Sequence, residues 1–197
     1  MPKLGMGPIR REQICRAATT LLAREGFAGT TMRMVAEEAG VSTGMLNHYF
    51  ENRLDLLSQA LAYSSERSLA RYRDAIEGIS PGRERLEALL DSILGSDPDG
   101  TETWRVWITA YAESLHEPRI RSVMQERLVL WFELLETALE DLAPDDEPLF
   151  STAYRLDAIL KGLAMQGLMV DDVEQRYADV REAIVAMTLG VAVRVPD

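Results

Sequence analysis

The sequence predicts an all-α protein of about nine helices, and three observations carry that prediction. Apolar residues recur at spacings of three and four along most of the 197 residues, β-branched alternation is absent, and Gly and Pro gather in a few short breaks. Ile14, Ala17, Ala18, Leu21 and Leu22 make the stripe of a first helix that ends near Gly26. Thr31 caps a short helix that stops at Gly40, and Ser42 or Thr43 caps the next, which runs to about Phe50. A long helix comes next, from Arg53 to Ile76, closed by "GISPG". Further helical segments lie near residues 83–95, 102–116, 119–142, 147–169 and 173–192. Their separators are "GSDPDG", the "HEP" corner, "APDDEP" and "DDVE". There is no internal repeat, low-complexity segment or long linker.

Composition narrows the function classes. At 47% hydrophobic and 27% charged residues the chain reads as a soluble globular protein. No apolar run approaches the roughly 18 residues of a membrane span, and no signal-peptide pattern opens it, so the expected location is the cytoplasm. The single cysteine, Cys15, excludes an internal disulfide framework and reads as a small buried side chain. His48 and His116 are the only histidines. With no Gly-rich phosphate loop and no convergent titratable set, neither an enzyme, a metal site nor a cofactor is expected. The net charge of −11 is unevenly spread. Residues 1–73 carry 10 Lys+Arg against 7 Asp+Glu, and residues 74–197 carry 11 against 25. The first part is mildly basic, as a surface for nucleic acid requires, and the acid lies downstream.

Ala36, Gly40 and Leu46 stand at offsets of four and ten, the pattern of a helix-turn-helix. A small residue permits the helix crossing, a glycine makes the turn, and Val35, Ala39, Val41, Leu46 and Tyr49 hold the pair against the helix at residues 10–25. Residues 43–50 would then be the recognition helix. Such offsets also occur in plain helical bundles.

The stretch "AATTLLAREGFAGTTMRMVAEEAGVSTGMLNHYFENRLDLL" resembles the N-terminal domain of the TetR family of transcriptional repressors. The likeness covers residues 10–57 and rests on Gly-Phe, Thr-Thr, Ala-Gly-Val-Ser-x-Gly and the closing Phe-x-x-Arg-x-x-Leu-Leu elements. "MPKLGM", "HYF" and "WITAYAESLHEP" further resemble the BetI branch, which controls choline-to-betaine genes. The resemblance implies phosphate contacts at Thr31, His48, Tyr49 and Arg53, with Arg33 adding one. It implies base-edge contacts at Thr43, Met45 and Asn47, with Ser42 and Gly44 at the start of the same helix against the backbone. Many members carry Tyr where this chain has Asn47, so base preference does not transfer. Lys3, Arg10 and Arg11 suggest a basic arm toward a groove.

For the C-terminal half the resemblance implies a ligand cavity and a dimer interface. Trp104, Trp107 and Tyr111 share one helical face and are candidates to line the cavity, with Met124, Met165 and Met169 as an adaptable wall. Such rings suit an apolar ligand or a quaternary ammonium, though an aromatic stripe also serves as plain core. Tyr154, Ile159, Leu160, Leu163 and Gly167, with Ile184 and Met187 on the last helix, are candidates for a two-fold four-helix interface. The expected organisation is a DNA-binding helix-turn-helix domain over residues 1–52 and a ligand-binding and dimerisation domain over 53–197. The expected function is a repressor that binds a palindromic operator in double-stranded DNA as a homodimer and is released by a small-molecule effector. The competing reading is a helical interaction module with a non-functional helix-turn-helix.

Overall fold

A computed structural model describes residues 6–94, 98–144, 147–169 and 183–189 of the chain. Every regular element among them is helical. In order they are α1 (Met6–Gly29), α2 (Met32–Glu38), α3 (Thr43–Tyr49), α4 (Arg53–Ile76), α5 (Arg83–Leu94), α6 (Pro98–Ser114), α7 (Pro118–Leu139) and α8 (Leu149–Gly167). Residues 183–188 form a further helical stretch, α9. Lys3 and residues 173–182 and 190–192 of the last expected helix fall outside the described residues.

The boundaries have local causes. α1 breaks at Gly26, whose φ of 69° is left-handed, and Thr30 closes the break by donating both N–H and Oγ1 to the Gly26 carbonyl. α4 ends in the run that holds Gly78, and α7 begins at Pro118, where a missing N–H is harmless. α6 starts at Pro98, one turn earlier than its apolar spacing suggests, for the same reason.

The described residues divide into two compact units. The first runs to Ser68 and resumes from Glu102 to Arg127; the second takes Leu69 to Thr101 and resumes at Leu128. In the first, Ile14, Ala18, Leu21 and Leu22 of α1 pack with Val35, Ala36, Leu46, Phe50, Leu56, Leu57 and Leu61. Val106, Ala110, Ile120 and Met124 of α6 and α7 complete this core. Each large side chain buried there contributes about 1.5–3 kcal/mol. In the second unit, Leu86, Leu89, Leu90 and Ile93 of α5 are buried, as are Leu134, Leu135 and Leu139 of α7 and Leu156 and Leu160 of α8. No described helix is long and apolar enough to cross a membrane.

Candidate nucleic-acid interface

The turn between α2 and α3 is built from backbone hydrogen bonds that the sequence dictates. Thr31 caps α2, its Oγ1 accepting from the Met34 N–H at 3.3 Å. At the other end Gly40 adopts φ 65°, which lets its N–H reach the Glu37 carbonyl and the Val41 N–H reach the Ala36 carbonyl at 2.9 Å. Ser42 then caps α3, Oγ accepting from the Met45 N–H at 3.2 Å. Leu46 and Phe50 are fully buried, so the opposite face of α3 looks outward. Thr43, Gly44, Met45, Asn47 and His48 are all exposed on or beside that face, with Ser42 and Thr31 exposed at the two caps. Arg33, the second residue of α2, is exposed and lies 3.8 Å from Glu37. Tyr49 is half-buried, packed on the core, with its ring edge-on to His48 at 5.3 Å.

Two sets of basic side chains are engaged by the protein itself. Arg53 is not free to reach a phosphate with its whole fork: Nε donates to the Thr30 carbonyl at 2.6 Å and Nη2 to the Phe27 carbonyl. It straps the start of α4 to the segment after the break in α1. Arg10 and Arg11 do not form an arm either, because they lie within α1. Arg10 donates to Gln13, and Arg11 donates to Gln59 at 2.8 Å while its guanidinium lies over the Phe50 ring.

A residue that sequence reasoning missed, Asp55, anchors the other end of this unit. Its carboxylate is 6% exposed and accepts from the Glu51 N–H, from Gln59 Nε2 at 2.9 Å and from the Arg119 guanidinium at the start of α7. Asn52 Oδ1 accepts from the Asp55 N–H and so caps the start of α4. Burial alone would raise the Asp55 carboxyl, but the Gln59 amide, the Glu51 N–H and Arg119 together hold it below the ordinary range. The signal lay in Asn-x-x-Asp at a helix start; nothing in the sequence announces Arg119, which is 64 residues away. α6 joins the same unit through Thr20, whose Oγ1 donates to Glu102, and through Thr109, whose Cγ2 would lie 3.8 Å from a Cβ at Gly26. Cys15 is buried, and that burial pushes its thiol up to about 11.

The candidate effector residues are brought together only in part. Trp107 and Tyr111 are half-buried against the first unit's core with ring centroids 6.1 Å apart, and Trp104 is half-buried one turn before Trp107. Met124 is a fully enclosed member of that core. Met165 and Met169 belong to the second unit and are exposed. Among the candidate dimer residues, Tyr154 and Met187 are exposed, while Ile159, Leu163 and Gly167 are half-buried. Leu160 and Ile184 are buried against the chain's own side chains. The sequence reading also missed Phe132 and Phe150. Their ring centroids lie 5.1 Å apart, the Tyr154 ring is 6.2 Å from each, and Phe150 and Tyr154 are exposed.

Comparison with known proteins agrees with this geometry. Residues 14–60 match the family described as bacterial regulatory proteins, tetR family, and residues 81–190 match the BetI-type transcriptional repressor C-terminal family. The HTH-type transcriptional regulator BetI of Stenotrophomonas maltophilia is 32% identical over 173 residues, covering 86% of this chain and 87% of that protein. A TetR-family regulator from Rhodococcus sp. superposes with a TM-score of 0.79 at 26% identity, covering 93% of this chain and 98% of the other. A transcriptional regulator from Saccharomonospora viridis, solved in complex with choline, gives 0.75 at 25% identity, covering 89% and 96%.

Proposed function

The chain belongs to the TetR family of bacterial regulatory proteins, in its BetI-type branch, and on that premise we propose a homodimeric repressor whose paired α3 helices read a palindromic operator until a small cationic ligand releases them. The observation that carries the reading is the α3 surface. Thr43, Met45, Asn47 and His48 stand outward on a helix whose inner side chains, Leu46 and Phe50, are fully buried and whose start is capped by Ser42. Asn47 has the donor and acceptor to pair with an adenine edge, and Met45 the apolar end for a thymine methyl. Thr31, Arg33 and His48 flank that surface as phosphate partners, with Tyr49 set behind them and Arg53 holding the frame.

Residues 1–52 do the reading and 53–197 supply effector binding and dimerisation. Tyr154, Ile159, Leu163 and Gly167 of α8, with Met187, form the face that pairs two copies about a two-fold axis. Such pairing sets two recognition helices about 34–36 Å apart, the spacing of successive major grooves. A cationic effector is supported by the BetI-type match, by the choline bound to the Saccharomonospora viridis regulator, and by the acidity of residues 74–197. Trp107 and Tyr111 are one aromatic pair that could meet it, and binding would shift the population toward a dimer with wrongly spaced helices. The protein would work in the cytoplasm, where its operator is.

Selection from a random duplex pool tests this reading, with wild type beside a Met45→Ala, Asn47→Ala variant. Arg53 is left intact because its loss would disturb the frame. A palindrome enriched by wild type alone is the expected result. No enrichment by wild type would favour a helical interaction module.

A further inference from the structure

We propose that Gln59 is a positioning residue for the recognition helix: it joins Arg119 of α7 and Asp55 to Arg11 of α1 in one chain that clamps the exit of α3, and operator affinity depends on that chain being unbroken. This rests on the DNA-reading proposal above and goes beyond it by assigning a part in recognition to side chains that lie behind the reading surface.

The whole chain, with the residues it grips, belongs to the first unit. Phe50 is the C-cap of α3 and is fully buried, so its ring and the N–H of Glu51 after it fix where the recognition helix ends. Each is held from a different element. Asp55 of α4 accepts from the Glu51 N–H at 3.1 Å, and the Arg11 guanidinium of α1 lies 5.6 Å from the centre of the Phe50 ring. Gln59 connects the two holds. Its Nε2 donates to Asp55 Oδ1 at 2.9 Å, and its Oε1 accepts from Arg11 Nε at 2.8 Å. A carboxylate only accepts and a guanidinium only donates, so the amide satisfies both in a single orientation. Gln13, two residues after Arg11, donates to the Ala39 carbonyl at the C-cap of α2. The opening turns of α1 therefore hold the far end of each helix in the reading pair.

Arg119, the second residue of α7, enters at Asp55 Oδ1, the same oxygen that Gln59 uses. Asp55 is 6% exposed and cannot turn to water, whereas the Arg119 side chain is 42% exposed and can leave. If it leaves, the charge on Oδ1 falls on the Gln59 amide alone. Hydrogen bonds in series polarise one another, so that change is passed to Arg11 and the ring beneath it. The start of α7 is itself tied to α6, because Arg121 donates to the Ser114 and Leu115 carbonyls at 2.9 and 3.0 Å. Arg119 is thus held to the end of the helix that carries Trp107 and Tyr111.

The test uses the full chain, a duplex carrying the operator that wild type selects, and an unrelated duplex of equal length. Affinities over a range of salt concentrations are measured for wild type, Arg11→Met, Arg119→Met, that pair combined, Gln59→Glu, and Gln59→Glu with Arg119→Met. Circular dichroism checks that each is folded. Each single variant should lose about threefold to tenfold in operator affinity, with the unrelated duplex and the salt slope unchanged. The Arg11→Met, Arg119→Met double variant should bind no more weakly than the weaker single, since either break opens the same chain. Gln59→Glu keeps an acceptor for Arg11 but has no donor for Asp55, so Arg119→Met should cost nothing further in its presence. Gln59→Glu also stands alone as a test if Arg119→Met does not fold, and full operator affinity in it would overturn the proposal. So would losses that multiply in the double variant. A salt slope reduced by about one in Arg11→Met, with the unrelated duplex equally weakened, would make Arg11 a plain phosphate contact and overturn it too. Each of these leaves DNA reading intact, whereas a wild type that binds neither duplex would sink both proposals.

Discussion

Loss of the Arg119 guanidinium should weaken the DNA-reading unit by an amount that vanishes in acid. Arg119→Ala removes one of three donors to the Asp55 carboxylate and leaves the Glu51 N–H and the Gln59 amide. A hydrogen bond to a charged group is worth about 1.5–3 kcal/mol, and an exposed ion pair about 0–1. Asp55 is buried but the Arg119 side chain is 42% exposed, so water returns part of the loss. The expected destabilisation is therefore about 1–2 kcal/mol. Asp55→Asn in the same cycle should reveal a coupling of about 1 kcal/mol between the two positions. The pH dependence has a definite sign. The folded Asp55 carboxyl is held below its ordinary value, so its contribution is complete above an unfolded value of about 3.9 and is lost as pH falls through the lower, folded one. Urea unfolding, tracked by fluorescence and by circular dichroism, would give the deficit at neutral pH and again in acid. A coupling below about 0.3 kcal/mol at neutral pH, or a deficit that persists undiminished in acid, would refute the argument.

Other expectations concern the same region. A Cβ at Gly44 would meet only the Ser42 hydroxyl at 3.9 Å, so Gly44→Ala should keep or raise stability, by up to about 1 kcal/mol, while lowering operator affinity about tenfold. Unchanged affinity would mean that no phosphate backbone comes close there. Gly40→Ala has open space but a left-handed φ and should cost about 1–2 kcal/mol by thermal unfolding. Asn47→Ala should relax discrimination at one base pair by about 1–3 kcal/mol with no change in salt dependence, whereas Arg33→Ala should reduce the salt slope by about one across all sequences. Cys15, with its thiol pushed up to about 11 by burial, should resist an aromatic disulfide reagent at mildly alkaline pH until urea unfolds the chain.

The helices were legible where their ends are set by local chemistry. Gly40, Ser42 and Pro118 each fix a boundary through their own backbone or hydroxyl, and α4 spans the residues that its spacing predicts. Pro98 misled because a proline reads as a separator although it suits a helix's first turn. Packing partners were less accessible. The apolar stripe of α8 contains both Tyr154 and Leu160, and periodicity cannot divide such a stripe between a chain's own core and a second copy. Arg53 fits a phosphate site by motif, and spacing alone gives no sign that it also donates to the carbonyls of Phe27 and Thr30. Asp157 and Lys161, four apart on α8, look from sequence like an ordinary solvent-facing pair. The structure instead buries the Asp157 carboxylate, which accepts from the Trp131 indole as well as from Lys161.

Repressors of this architecture invite chimeras in which one protein's operator reader is joined to another's sensor, and the natural seam is the gap between Phe50 and Arg53. Here that seam cuts through a shared interior. Val106, Ala110, Ile120 and Met124 fill the same core as Leu22, Leu46 and Phe50, and Arg119 completes the cap at Asp55. A foreign reader spliced in at residue 52 would meet a surface shaped for other side chains and would lose specificity through slackness before any base contact was altered. A graft that moves residues 102–127 together with the reader would transplant a finished core, and the splice points would then lie inside α6 and α7, where helix register is simple to preserve.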